Sequence, residues 1–381
     1  MKTRLLACLA ALLPLDSLGA SFTQTNGVQF HGFASQGYLL SDGNNFYGES
    51  QRGSFDFMEA GINANWNASE RLNIAGQLFT RDAGTTDNGK LMVDYLFADY
   101  QMVQSQNSGL GVRLGRVRNA LGFYNETRDV LFARPSIIMP QAVYFEGIGV
   151  RELLFASEGA QIYSYWDDEN ANTSTTFSLT MGRNNSLSET LVSNLTGEGV
   201  SLALKGQADR PTYAQLTHSL DGGRMRFALS SYDVGVDVST RLPAPNQEVR
   251  LDARGYVASA QYNTQKWSWT AEYSTTDLTF YGGILSSLDI KIEGSYLQGQ
   301  YRPHPQLILL GRFEYTKPSG DFSGEDTQRL VVGGKWTIDY NWTLAVDLHG
   351  IRGNGGIPSG DNPGGLSERT ELLAIMVGYR F

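Results

Sequence analysis

Apolar and polar residues alternate along this chain with a period of two, in stretches of about ten residues separated by turns. In MEAGINANW, Met58, Ala60, Ile62, Ala64 and Trp66 share one face, and Glu59, Gly61, Asn63 and Asn65 share the other. KWSWTAEYS sets Trp267, Trp269, Ala271 and Tyr273 against Ser268, Thr270 and Glu272. QLILLGRFEY places Leu307, Leu309, Gly311, Phe313 and Tyr315 opposite a face ending in Arg312 and Glu314, and EGVSLALKGQ sets Val200, Leu202 and Leu204 against Ser201, Ala203 and Lys205. IMVGYRF keeps the alternation up to Phe381, with Leu373, Ile375, Val377, Tyr379 and Phe381 on one parity and Arg380 on the other. Successive side chains of a strand point to opposite faces, so the pattern predicts an all-β chain of two-faced strands.

A soluble sandwich and a membrane barrel both satisfy that pattern, and the connections separate them. Short turns (NASE at 67–70, DDENAN at 167–172, ADRP at 208–211, NTQK at 263–266, PHPQ at 303–306, DYN at 339–341) alternate with longer Gly/Asn/Ser-rich loops at 41–53, 82–89, 184–197, 317–327 and 351–369. This asymmetry is expected of a transmembrane antiparallel β-barrel, with its short turns on the periplasmic side. Trp66, Trp166, Trp267 and Trp342 fall beside short turns, where an aromatic girdle would meet the periplasmic interface. A first count gives seventeen strands, against the even number a barrel requires. Reading YDVG at 232–235 as a periplasmic turn below an extracellular hairpin at 221–223, with VDVSTR at 236–241 as a short upward strand, yields eighteen. Sixteen results if one weak hairpin is spurious.

The opening residues set the compartment. MKTRLLACLAALLPLDSLGA has Lys2 and Arg4, an apolar stretch and then small residues, which predicts a secretory signal peptide over 1–20 and a single barrel domain over 21–381. Cys8 is the sole cysteine, so disulfides have no part in the expected mature fold. The formal charge is −9 with no basic patch, which argues against nucleic acid as a partner.

The signal peptide, the alternating strands and the terminal YRF together resemble the Gram-negative outer-membrane porins. That resemblance covers about residues 21–381, and LGRVRNALGFYNETRDVLFARPS is similar to a stretch of phosphate-selective-like porins. It implies residence in outer-membrane lipid, a terminal strand whose Tyr379 and Phe381 are read by the barrel-assembly machinery, and a homotrimer. It also implies a third loop folded into the lumen as a constriction. Here the third long loop runs from about 118 to 151. The constriction residues expected on it and at its base are Arg113, Arg116, Arg118, Glu126, Arg128, Asp129, Arg134 and Glu146.

The function expected is a water-filled channel for passive diffusion of ions and small hydrophilic solutes. Other classes remain: a barrel enzyme acting on lipids, or a secreted all-β binding or adhesion protein. His349 with Asp347 two residues before it could supply part of a hydrolytic site, but a lumenal polar row is the blander account. No enzyme, cofactor or metal is expected, since the acidic stretches SDGNN, DDENAN and GDNPGG lack EF-hand spacing.

Overall fold

The computed structural model describes residues 24–25, 27–146, 151–183, 185–187, 205–239, 248–282, 285–321 and 324–381. The expected signal peptide lies outside them, as does most of 184–204. Among the described residues sixteen long strands run in sequence: β1 (Val28–Asp42), β2 (Ser54–Asn67), β3 (Leu72–Ala83), β4 (Met92–Gln104), β5 (Ser108–Arg118), β6 (Ala156–Asp168), β7 (Thr173–Gly182), β8 (Lys205–Leu220), β9 (Met225–Ser239), β10 (Glu248–Asn263), β11 (Trp267–Gly282), β12 (Leu285–His304), β13 (Leu307–Gly320), β14 (Thr327–Thr337), β15 (Trp342–Arg352) and β16 (Arg369–Arg380). Each pairs antiparallel with its neighbours, and β16 returns to β1 in a ladder from Glu371↔Asp42 to Arg380↔Phe33. The sheet is therefore a closed ring without an edge.

Sixteen replaces the favoured eighteen for a local reason. ADRP and YDVG are not turns; they lie inside β8 and β9, beside one another in the ladder, with Asp209 opposite Gly235 and Thr212 opposite Asp233. A bulge between Asp209 and Thr212 absorbs Pro211, which cannot donate a ladder hydrogen bond. The charged residues there pair on the surface: Arg254 with Asp233 at 2.7 Å, and Arg250 with Asp209, Asp237 and Asp252. Polar composition in this stretch marks wall carried on beyond the bilayer, which sequence pattern alone cannot distinguish from a turn. The hairpin at 221–223 consequently sits with the other short turns, not at the extracellular end.

The burial pattern is inverted relative to a soluble protein. Leu114, Leu229, Leu297, Phe313, Leu330, Val332 and Leu348 are exposed on the outer wall, while Glu59, Gln77, Arg81, Gln161, Glu272, Arg312 and Asp347 are buried inside. Such a surface is stable only in lipid, and a closed β-barrel of this kind is an outer-membrane architecture. Trp66, Trp166 and Trp267 are exposed at the short-turn end, and Trp342, half-buried, lies 4.9 Å from the Tyr379 ring.

At the β16–β1 seam Phe381 exchanges backbone hydrogen bonds with Gly32. Its ring lies so close over that glycine that an added Cβ would fall 2.4 Å from it. Arg380 faces the other way, its guanidinium over Phe132 and Tyr340. We predict that Phe381→Asp and Gly32→Leu each lower the melting temperature of the heat-modifiable folded band, whereas Arg380→Lys leaves it within a few degrees. Equal melting of all three in semi-native gels would disprove the seam contact.

Candidate pore constriction

The third loop joins β5 to β6, and its described residues, 119–146 and 151–155, lie inside the barrel. Its entry is prepared by three glycines that face one another across β5, β6 and β7, Gly115↔Gly159 and Gly159↔Gly182. Gly115 has φ 133°, and a Cβ on it would lie 2.2 Å from the Leu96 carbonyl oxygen; one on Gly159 would lie 2.0 Å from that of Met181. Only glycine fits where the sheet turns this sharply.

Side chains of the inner wall then hold the loop at eleven strands among the described residues, β2, β4, β5, β8, β9 and β11 to β16. Arg134 Nη1 donates to Glu59 Oε1 at 2.8 Å, and its Nη2 lies in ion-pair contact with Oε2 at 2.8 Å. Arg312 donates to Ser136 Oγ at 2.6 Å and the Ile138 carbonyl at 3.0 Å, and pairs with Glu314 at 2.8 Å. Lys335 Nζ caps the carbonyls of Leu131, Phe132 and Arg134. Glu272 accepts from the Phe123 amide and the hydroxyls of Ser259, Tyr144 and Tyr296. Asp347 accepts the Ile137 amide at 2.6 Å. Each of these wall charges is thereby set against loop backbone, a loop counter-ion or a neighbouring wall charge, as buried charge requires.

Apolar packing closes the remaining space. Leu131, Ile137 and Ile138 pack with inward Leu39, Ile351, Leu372 and Met376 of the wall, and with Phe46, Tyr47 and Ile357 from the extracellular loops above. On the opposite side Leu121, Met139, Val143 and Tyr144 meet Tyr213, Tyr232, Val234, Leu251 and Val257. The extracellular loops are laced together in turn: the Asp361 carboxylate accepts the amides of Gly48 and Thr85, and Asn362 that of Asn45.

The eight expected constriction residues divide into a buried set of four, an accessible set of three, and Arg116 by itself. Arg128 pairs with Glu146 at 3.3 Å, Arg134 with Glu59, and Asp129 with Arg151 at 2.7 Å, all buried. These four seat the loop and are closed to a passing ion. Arg113, Arg118 and Glu126 stay accessible. Arg113 pairs with Asp99 at 2.9 Å and lies over the Tyr163 ring, whose hydroxyl donates to the same carboxylate. Arg118 lies over Tyr95 and donates to the Glu126 carbonyl. Arg116 stands beyond the glycine row, its Nε donating to the Asp94 carbonyl, in an open recess of about 1010 Å³ shared with Asp87, Lys90, Glu152 and Arg183. Sequence reasoning missed Asp99, Tyr163 and Arg226, although all three fall on the inner parity of their strands. His349 and Asp347 both face inward, away from lipid; the Asp347 carboxylate holds Ile137, and neither His349 ring nitrogen has a protein hydrogen-bond partner.

No protein-family model matches the chain, and no curated relative aligns with it significantly. Solved structures do match in shape over nearly the whole length. The outer membrane channel DcaP of Acinetobacter baumannii superposes with a TM-score of 0.59 at 12% identity, covering 94% of this chain and 99% of its own. The fold is that of the outer-membrane porins. OmpF of Salmonella typhi, solved with daunomycin, gives 0.58 at 12% identity over 93% and 97%. The trimer form of OmpT, an outer membrane protein of Vibrio cholerae, gives 0.56 at 12% over 93% and 99%. At these identities the likeness establishes the porin fold and nothing finer.

The loop's ion pairs set its dependence on pH and on mutation. Burial opposes ionisation of both Glu146 and Asp129. Arg81, Arg128 and Arg134 around Glu146, and Arg151 and Arg118 around Asp129, outweigh it and hold both carboxyls below their ordinary range. Groups depressed in the folded state stabilise it above their unfolded pKa, about 4, and lose that contribution as pH falls through the lowered values. Protease nicking within 121–146 should therefore stay flat between pH 8 and 5 and rise below about 4; a rise near neutrality would contradict this. Removing one partner of a buried pair costs about 3–5 kcal/mol. Glu59→Ala should thus raise nicking and channel noise at neutral pH, and pairing it with Arg134→Met should restore much of the quiet state. Noise in the double variant equal to that of Glu59→Ala would argue against the pairing.

Proposed function

We propose that this barrel is a diffusion channel for small hydrophilic solutes and ions, metered by the third loop. The observation that carries this reading is an inverted sixteen-strand ring whose lumen is crossed by the third loop, with polar side chains still accessible beside it. Below the loop the inner parity is carried by amides such as Asn63, Asn73, Gln101, Gln215 and Gln261, together with Arg113 and Asp99. A ring of sixteen strands is too wide for wall side chains alone to fill. What narrows it here is the loop, so the conductance is set by the loop and not by strand number. The matched DcaP is a channel by its own description, which fits the same reading.

The lipid-enzyme reading loses its one candidate site, because His349 and Asp347 lie on the lumen side under the loop. A homotrimer is the assembly we propose, as in the trimer form of the Vibrio protein; mass photometry in mild detergent giving only monomers would count against it.

Planar-bilayer recording tests the channel. Deleting 121–146 should raise single-channel conductance several-fold while the heat-modifiable band persists. Reversing Arg113 to Glu, beside Asp99, should move the reversal potential toward cations. At ~8 Å a unit charge is worth roughly 0.5 kcal/mol in water and about 2 kcal/mol at an effective dielectric near 20. The shift should therefore be several-fold in low salt and shrink at molar salt, where the screening length is about 3 Å. Unchanged conductance in the deletion together with an unchanged potential in Arg113→Glu would move the constriction elsewhere.

A further inference from the structure

The chain is acidic overall, but the accessible lumen beside the third loop is not. Of its negative residues, Glu59, Glu146, Glu272, Glu314, Asp94, Asp129 and Asp347 are buried in ion pairs or under backbone amides, Asp99 is paired with Arg113, and Glu126 alone of these stands exposed; the surface acids on β8 to β10 are paired with Arg250 and Arg254. At the short-turn ends of β9 and β16, two arginines reach the loop from below. Arg226 lies over Phe123 at 4.9 Å and donates to the side-chain amide oxygen of Gln261 at 3.3 Å. Arg380 lies over Phe132 at 4.4 Å and Tyr340 at 5.0 Å, and its Nε donates to the Tyr340 carbonyl. Among the described residues neither has a carboxylate within ion-pair distance, and both are half-buried. Arg113 repeats the motif higher on the wall, over Tyr163 at 4.5 Å and Phe97 at 5.4 Å, with its charge shared by Asp99. The rings of Tyr163 and Tyr165 lie flat on Gly111 and Gly109, where a Cβ would meet them at 2.4 and 2.3 Å. They therefore turn a face, not an edge, to the lumen.

Resting on the channel reading above, we propose that the lumen selects anions, and that Arg226 with Phe123 and Arg380 with Phe132 form contact sites for small carboxylates that carry a flat apolar ring. A guanidinium stacked on a ring keeps its N–H edge free for a carboxylate, while the ring beside it offers apolar surface to the body of the same solute. Stacking also fixes the guanidinium in place, so less freedom is lost on each encounter. A simple inorganic anion uses only the first half of such a site. Neutral amides on the surrounding wall set no opposing field.

The test combines selectivity with binding. In asymmetric potassium chloride the protein should favour chloride over potassium, and the paired Arg226→Gln and Arg380→Gln changes should lower that ratio several-fold; Glu126→Gln should raise it. Benzoate should compete with chloride current at lower concentration than acetate, and Phe123→Ala with Phe132→Ala should erase that difference while sparing the chloride preference. Calorimetry with benzoate on detergent-solubilised protein should show binding lost in the arginine pair. Cation preference in an open channel, or benzoate binding untouched by the arginine changes, overturns the proposal. Absence of conductance with arginine-dependent benzoate binding overturns the channel reading and leaves the site standing.

Discussion

Hydrocarbon offers no partner to a peptide N–H or C=O, and an unpaired group there costs several kcal/mol. Closure of β16 on β1 meets that demand, and most other features follow from it. A ring forces the strands to alternate, which turns the apolar parity outward and leaves the polar parity to line a lumen. The lumen of sixteen strands is then a void that the wall cannot fill, and the chain fills it with its own third loop. Even the seam obeys the same rule, since Gly32 exists to let the Phe381 ring lie flat against a strand that must pair on both sides.

Inside, the protein has built something closer to a folded domain than to a lined tube. Charged residues on the lumen-facing parity of the wall, among them Glu272, Arg312, Lys335 and Asp347, hold carbonyls and amides of the loop. Inward Leu39, Val234, Leu251 and Met376 form two apolar clusters with it. The charges that a permeating solute can reach are consequently few. Net charge is a poor guide to a lumen when buried charges of both signs, Arg134, Arg312 and Lys335 as well as Glu272 and Asp347, are consumed in anchoring.

Much of the architecture was legible in the sequence. Met58 to Trp66 and Trp267 to Tyr273 declared their faces, and short turns alternating with long loops gave the membrane orientation. The strand count failed at Pro211 and at Asp233–Gly235, where a wall rising out of the bilayer takes on turn-like composition; local sequence cannot tell those two settings apart, because both are polar and solvated. The site was legible only in outline. The segment from about 118 to 151 was recognisable as an apolar loop bearing charges of both signs, but the division into seated and accessible groups depends on contacts far apart in the chain, such as Arg134 with Glu59 and Ile137 with Asp347. The glycine row carried a signal that went unread: three glycines, each on a different strand, become meaningful only once the register is known.

The third loop has a consequence for the order of events in time. Its anchors Glu59 and Asp94 precede it in the chain, but Ser230, Glu272, Arg312, Lys335, Asp347 and Met376 all follow it. A barrel growing strand by strand carries this segment unseated, with its arginines still hydrated, through most of its insertion. The last strand to arrive brings Met376 beside Arg134 as it meets β1. Sealing the wall and seating the loop thus become a single late step, and a half-built ring has no stable interior to rest in.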